Sequence, residues 1–327
     1  MHIKEGMMKK EISVGGQAVI EGVMMRGPEK LATAIRRSNG DIELKITPFT
    51  SITQRVKLLG YPIIRGFVSL IEMLKIGIST LTFSAERWEI DLKAEEIAKG
   101  NKFKEKSKSA QKLEEITSYV VAFGLAFLLF GFLPYKISDW MRLSKQDFYF
   151  NLFAGSIRIV FFVLYIWIIS LMKDVHRLFQ YHGAEHKNVN AYEQNIHLNA
   201  SDIQQCTTIH PRCGTSFMFF VLLIGILIFS LTDTLVSAYI LKRPIPMFLR
   251  LGYHLLMIPI ISGVSYEVLK FSGRNLNHPV VKLMTIPGMA LQKITTQAPD
   301  DEMVETALVA MKAALDIDYS EHRVTLL

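Results

Sequence analysis

Asp174-Val175-His176-Arg177-Leu178-Phe179-Gln180-Tyr181-His182-Gly183-Ala184-Glu185-His186-Lys187 is a polar stretch with clustered histidines, and the polar segment that it opens runs on to Cys213 between two long apolar runs. Val175, Leu178, Phe179, His182, Glu185, His186 and Val189 follow the spacing of a buried helical stripe, while Lys173, Arg177 and Lys187 fall elsewhere. The spacing predicts a helix with inward-pointing histidines. His182 and His186 are four residues apart, so their imidazoles share a face and can converge on one ion, with Glu185 near enough to polarise a water on it. An isolated pair of this kind beside one glutamate is more often two histidines that cap or hydrogen-bond. Two features weigh against that blander account. Unpaired burial costs about 1 to 3 kcal/mol for each polar group, which a shared metal would relieve. In addition, His210-Pro211-Arg212-Cys213-Gly214 closes the segment with a turn that carries two more ligand types.

Half of the residues are apolar and the mean hydropathy is +0.25, too oily for an ordinary soluble domain of 327 residues. The formal charge is +7, but the basic residues gather at the ends of apolar runs, not among interleaved aromatics, so no nucleic-acid partner is expected. Cys206 and Cys213 are the only cysteines, at a spacing that fits neither a zinc knuckle nor a redox C-x-x-C. A disulfide framework is thereby excluded.

In chain order, residues 1–11 are polar, lack the apolar core of a signal peptide, and are expected to be a flexible start. Gly15 to Pro28 is punctuated by glycines and contains no P-loop pattern. Glu21 and Arg26 are candidate site residues within it, an ion pair or turn contact being the plainer account. Leu31 to Arg37 and Ile42 to Thr47, joined by Ser38-Asn39-Gly40-Asp41, carry the Asn-Gly signal of a β-hairpin. Residues 1–60 therefore read as a small β-rich N-terminal unit on the cytoplasmic side. From Tyr61 to Ala85 the pattern is helical, with Arg65, Ser69, Glu72, Lys75 and Ser79 as a polar stripe, suited to the membrane interface or to a bundle around a polar cavity. Residues 61–115 are read as this amphipathic helix and a basic linker that includes Lys99, Lys102, Lys104, Lys106, Lys108 and Lys112.

Four runs, Ile116–Tyr135, Leu152–Met172, Ser216–Leu241 and Met247–Leu269, meet the criterion of about 20 predominantly apolar residues. The fold class expected is an α-helical polytopic membrane protein of about four transmembrane helices, with a small N-terminal β-rich unit and a C-terminal helix. Residues 116–269 form the transmembrane core, carrying a motif loop at 173–215. The lysines before the first run place both termini and that loop on the cytoplasmic side. His182, His210, Cys213 and Glu267 then meet at one membrane face. Glu267, at the edge of the last span, is expensive unless it is paired, coordinated or reaching headgroup water. Glu193 lies two helical turns, or about 10 Å, from His186, so it suits a supporting position better than a ligand position. His278 is a reserve ligand. Residues 270–327 form a cytoplasmic segment whose helix, opened by Pro299-Asp300-Asp301-Glu302, presents Met303, Ala307, Ala310 and Leu315 for docking.

Gly15 to Pro28, Phe179 to Lys187, His210 to Thr215 and Ser265-Tyr266-Glu267 together make the chain resemble the YqhQ-like family of uncharacterised bacterial membrane proteins, over nearly its whole length. The resemblance implies a multi-pass protein of the bacterial inner membrane and a predicted metal-dependent enzyme of unspecified substrate. It also brings Gly15 to Pro28 into the site.

Two readings of function follow. In the first, the chain is a membrane hydrolase, peptidase-like, with membrane lipid around it and a protein or peptide as substrate. Its divalent metal, zinc, is held by His182 and His186 with Glu267, Cys213 or His210, and Glu185 is the general base. In the second, it is a non-enzymatic scaffold or assembly factor with a structural metal or none. The topology is checked by labelling single cysteines placed at Lys104 and Asn195. Modification from the same face is expected; modification from opposite faces would overturn it.

Overall fold

The computed structural model describes residues 14–100, 107–141, 148–275 and 277–327. The expected flexible start, Lys102, Lys104, Lys106, Arg142 and Lys145 lie outside them. Strands β1 (Gly15–Val19), β2 (Gly22–Arg26), β3 (Lys30–Arg36) and β4 (Ile42–Pro48) form an antiparallel meander, and β5 (Val324–Leu326) adds to the β4 edge in parallel. The helices are α1 (Ile52–Arg55), α2 (Ile64–Ala98), α3 (Lys108–Phe127), α4 (Leu133–Trp140), α5 (Phe148–Ser170), α6 (Lys173–Glu193), α7 (Ala200–Gln204), α8 (Gly214–Leu235), α9 (Met247–Arg274), α10 (Pro279–Thr295) and α11 (Asp301–Ala314).

The β3–β4 hairpin forms where Asn39-Gly40 predicts it, closing on the Arg36–Ile42 pair, with Gly40 at φ +86° in the region that a glycine enters without strain. The glycine-punctuated stretch before it is a second hairpin, β1–β2. Side chains alternate across the sheet as the pleat requires. Val23, Met25, Ala32, Ala34, Ile42 and Leu44 join one core with Tyr181, Ala184 and Val189 of α6 and with Met303, Ala307, Leu308 and Met311 of α11. Met24 and Leu31 form a second cluster with Ile76 of α2. The sheet is thus covered by α6 and α11 on one side and by α2 on the other. Asp300 caps α11 by accepting from the Met303 N–H at 2.8 Å, and every residue from Thr306 to Ala314 is buried.

The described residues of 14–60, 173–215 and 270–327 therefore contribute to one packed unit, with the C-terminal helix docked on the N-terminal strands as its apolar face predicts. The expected motif loop begins as a 21-residue helix whose residues Gly183–Ala191 are all buried. Lys187, placed off the buried stripe by periodicity, is buried as well, and its ammonium group donates to the Gln204 carbonyl.

The remainder is a helical bundle in which α8 packs on α5, α9 and α10, and α9 on α2. A π-helical turn, Leu128–Phe132, joins α3 to α4, and a second, Val236–Leu241, prolongs α8. Against the four spans expected, five helices among the described residues are long and apolar enough to cross a membrane: Ile64–Ala98, Lys112–Trp140, Phe148–Ser170, Gly214–Leu241 and Phe248–Arg274. Large apolar side chains stand exposed around the bundle, Phe248 at 87% and Phe123 at 75%, a surface suited to lipid. The additional helix, α2, was set apart in the sequence by its polar stripe. That stripe is used in packing. Glu72 accepts from Ser51 Oγ at 2.7 Å and from the Ile52 N–H, while Arg65 pairs with Glu267 of α9. Farther along, Gln17 donates to Thr80 Oγ1 at 2.7 Å, and the Ile20 N–H donates to Ser84 Oγ at 3.1 Å, fastening α2 to the sheet.

Arg37, at the end of β3, ties the sheet to α2. It donates to Asp91 through Nε at 3.0 Å and NH2 at 2.7 Å, and it also pairs with the buried Glu43. Arg37→Met is expected to destabilise the protein by about 3 kcal/mol in equilibrium unfolding, because it leaves Asp91 and the buried Glu43 without their cation. An unchanged midpoint would show that the cluster is dispensable.

Candidate metal centre

Three ligand atoms, one each from His182, His186 and Cys213, lie within 4.8 Å of one another. Helix α6 supplies the two imidazoles, whose ring centroids are 4.5 Å apart, as the four-residue spacing requires. Cys213 comes from 31 residues onward at the N-cap of α8, its Sγ 3.3 Å from His182 Nε2. The Thr215 N–H faces the sulfur at 3.4 Å. Metal ligation uses the thiolate, and a helix N-terminus is where a negative charge is favoured.

Each imidazole is oriented by a backbone carbonyl. His182 Nδ1 lies 2.8 Å from the Thr295 carbonyl at the end of α10, and His186 Nδ1 bonds the Thr208 carbonyl. A carbonyl can only accept, so each Nδ1 carries a proton and Nε2 is left as the lone-pair nitrogen of the neutral ring. A carbonyl or carboxylate behind a histidine is the usual support of a metal ligand. The donor set of two imidazoles and one sulfur suits zinc and is unlike the all-oxygen sets of calcium or magnesium.

Glu185 is buried beside this group. Its Oε1 accepts from the Gly16 N–H at 2.9 Å, which makes the β1 end of the glycine-punctuated stretch part of the site. Its Oε2 is buried with no hydrogen-bond partner among the described residues. Burial pushes the carboxyl up, against the opposing influence of His182, the Gly16 N–H and His210.

The other candidates have different partners. Glu267 is not brought to the histidines, because Arg65 Nε donates to its Oε1 at 2.7 Å and NH2 binds Oε2. A guanidinium in this two-point geometry satisfies the carboxylate without a metal. His210 has its ring 5.9 Å from that of His186 and its Nε2 3.2 Å from Glu193 Oε2. Its peptide is clamped by Gln292, which accepts from the His210 N–H at 2.8 Å and donates to the His210 carbonyl at 2.9 Å. Glu193 also pairs with Arg212, so it supports the turn that delivers Cys213. His278 is exposed at the start of α10, at the opposite end from Thr295. Glu21 pairs with Arg177 and accepts from the Tyr181 hydroxyl at 3.3 Å. Arg26 stacks over Phe49 at 4.6 Å and lies 3.5 Å from Met73 Sδ.

Residue spacing did not single out Thr208, Thr295 or Gly16, since each acts through its backbone, which has no residue-specific signature. Gly183 did carry a signal, as a glycine inside a helix. A Cβ there would come within 2.0 Å of the Gln297 carbonyl, and the Gln297 N–H donates to the Phe179 carbonyl at 2.9 Å. This close crossing brings Thr295 to His182.

The chain belongs to the family described as a protein of unknown function, DUF1385, which it matches over residues 61–317. The match includes both histidines, Glu185 and Cys213 but starts beyond β4. The chain is 32% identical over 314 residues to the uncharacterized protein YqhQ of Bacillus subtilis (strain 168), covering 93% of this chain and 92% of that one. The expected YqhQ-like membership therefore holds. No solved structure matches.

Gly183→Ala is expected to lower stability by about 1 to 3 kcal/mol, as overpacking does, and to move the 295–299 connector away from α6. Thermal unfolding and limited proteolysis near Gln297 check this. Wild-type behaviour in both would show that the crossing has room for a methyl group.

Proposed function

We propose that the protein is a metal-dependent hydrolase with a divalent ion, zinc, held by His182, His186 and Cys213 and with Glu185 as general base. The observation that carries this reading is the paired commitment of both Nδ1 atoms to backbone carbonyls, which leaves Nε2 of each ring as the lone-pair nitrogen, that of His182 3.3 Å from Cys213 Sγ. Three protein ligands are the number typical of catalytic zinc, whereas structural sites usually have four. When bound, such an ion would acidify water and polarise a carbonyl. The chain's own contribution is proton handling at Glu185. Oε1 is fixed by the Gly16 N–H, and Oε2 is the oxygen left to take a proton. The proposed substrate is a peptide, amide or ester presented at the cytoplasmic face of a bacterial inner membrane, where the apolar helices of the bundle would anchor the chain.

A scaffold reading is favoured by one observation. The group joins α6 of the sheet unit to α8 of the apolar bundle, as a structural metal would.

Metal analysis and complementation of purified variants separate the two. In the hydrolase reading, Glu185→Gln retains metal and stability and loses function, while His186→Ala loses both metal and function. A fully complementing Glu185→Gln protein that still holds its metal would defeat the hydrolase. Unchanged metal content in His182→Ala and His186→Ala would defeat the metal centre itself.

A further inference from the structure

A second polar cluster lies inside the apolar bundle, far from the histidines. Asp233 of α8 is 3% exposed and takes a bond from His254 of α9, Nε2 to Oδ1 at 2.8 Å. Cys213 precedes Asp233 by 20 residues, which along α8 corresponds to about 30 Å at 1.5 Å per residue. The two centres therefore lie near opposite ends of one long helix. Arg250, one turn before His254, approaches Asp233 Oδ2 with Nε at 3.3 Å, at an angle that leaves Nε without a hydrogen bond. Arg158 of α5 donates from Nε to the Phe130 carbonyl at 2.9 Å. That carbonyl lies in the π-helical turn Leu128–Phe132, and π turns recur at functional sites because they displace groups from the regular ladder. The His254 ring is stacked on Phe229 at 3.9 Å, and Tyr253, 4.7 Å from His254, has a buried hydroxyl without a partner among the described residues.

The charges do not balance. Arg158 feels both Arg250 and Asp233, but among the described residues no carboxylate is within ion-pair distance of it. Two guanidinium groups thus share one carboxylate, leaving an excess positive charge even with His254 neutral. An uncompensated ion in apolar surroundings is costly, and ionisable groups inside apolar bundles usually mark a ligand or ion path. Guanidinium groups match the geometry of phosphate and carboxylate oxygens.

We propose that Arg158, Arg250 and Tyr253 form a binding site for a phosphate-type anion between α5, α8 and α9. The anion completes the charge balance that Asp233 only half supplies, and the two donors without a hydrogen bond among the described residues, Arg250 Nε and Tyr253 OH, are its hydrogen-bonding partners. Its source is either the headgroup of an acidic phospholipid or inorganic phosphate. Asp233 competes for the same guanidinium groups, so its carboxylate weakens anion binding.

The test uses the full chain in nanodiscs of phosphatidylglycerol or phosphatidylcholine, with native mass spectrometry of retained lipid. Inorganic phosphate is titrated separately in detergent, following the melting temperature. Preferential retention of phosphatidylglycerol with no phosphate effect supports the site and assigns a lipid headgroup. A rise in melting temperature with phosphate supports it and assigns a soluble anion. In either case Arg158→Gln should weaken the binding about tenfold, the loss of one charge-assisted contact, while Asp233→Asn should strengthen it. Equal retention of both lipids together with no phosphate response would overturn the site. So would Asp233→Asn weakening the binding. If Arg158→Gln does not fold, the Asp233→Asn measurement alone decides.

Discussion

The burial of α6 on all sides from Gly183 to Ala191 is the constraint on which the rest of the structure depends. A helix so enclosed needs partners on every face. It finds them in the meander sheet, in α11, and in the connector that crosses at Gly183. The partners come from both ends of the chain, which brings the N-terminal strands and the C-terminal helix into one unit. Polar groups enclosed in such a helix are costly unless bonded, and Glu185 Oε2 and Asn188 Oδ1 are the atoms of this segment left without a partner among the described residues. Asn188 donates to the Ala184 and Val304 carbonyls at 2.9 and 3.2 Å, Asn190 donates to the Thr207 and Ile209 carbonyls at 2.8 and 3.2 Å, and Lys187 donates to the Gln204 carbonyl. The bonds from Asn190 and Lys187 fold the 204–209 segment back along α6, and the same return brings the Thr208 carbonyl to His186.

The histidine orientation is therefore a consequence of packing. The Thr295 carbonyl reaches His182 because α10 lies along α8 and its end crosses α6 where only glycine fits. Cys213 reaches His182 because Gln292 holds the His210 peptide and Glu193 holds Arg212, fixing the turn before α8. The group sits at the junction of the sheet unit and the apolar helices, so changes in the packing between them would alter the spacing of the three ligand atoms.

The same bundle distributes its charges unevenly. Arg65 and Glu267 cancel each other at the α2–α9 contact, where Gly66 and Gly263 let the helices approach closely. A Cβ on Gly66 would meet the Gly263 Cα at 2.8 Å. Asp233 has two cationic claimants and cancels only one. The first arrangement is self-contained, and the second is open to a ligand. This contrast depends on the company each carboxylate keeps, since both are acids on long, apolar helices.

The sequence by itself determined what local pattern controls. Asn39-Gly40 set the β3–β4 hairpin, long apolar runs set the bundle helices, and four-residue spacing set two imidazoles on one face. Asp300 and its acidic neighbours marked the start of α11. Tertiary structure decided whatever depends on atoms distant in the chain. It took Glu267 away from the histidines because Arg65 lies across from it, enclosed the Lys173–Glu193 helix on every side from Gly183 to Ala191, and drew Gly16 and Thr295 into the site through backbone groups. Periodicity reports which face of a helix is apolar, and it failed for Lys187 because a helix enclosed on every side has no solvent face. Backbone donors and acceptors are the same at every residue other than proline, so only the folded arrangement shows which of them lies behind a given histidine.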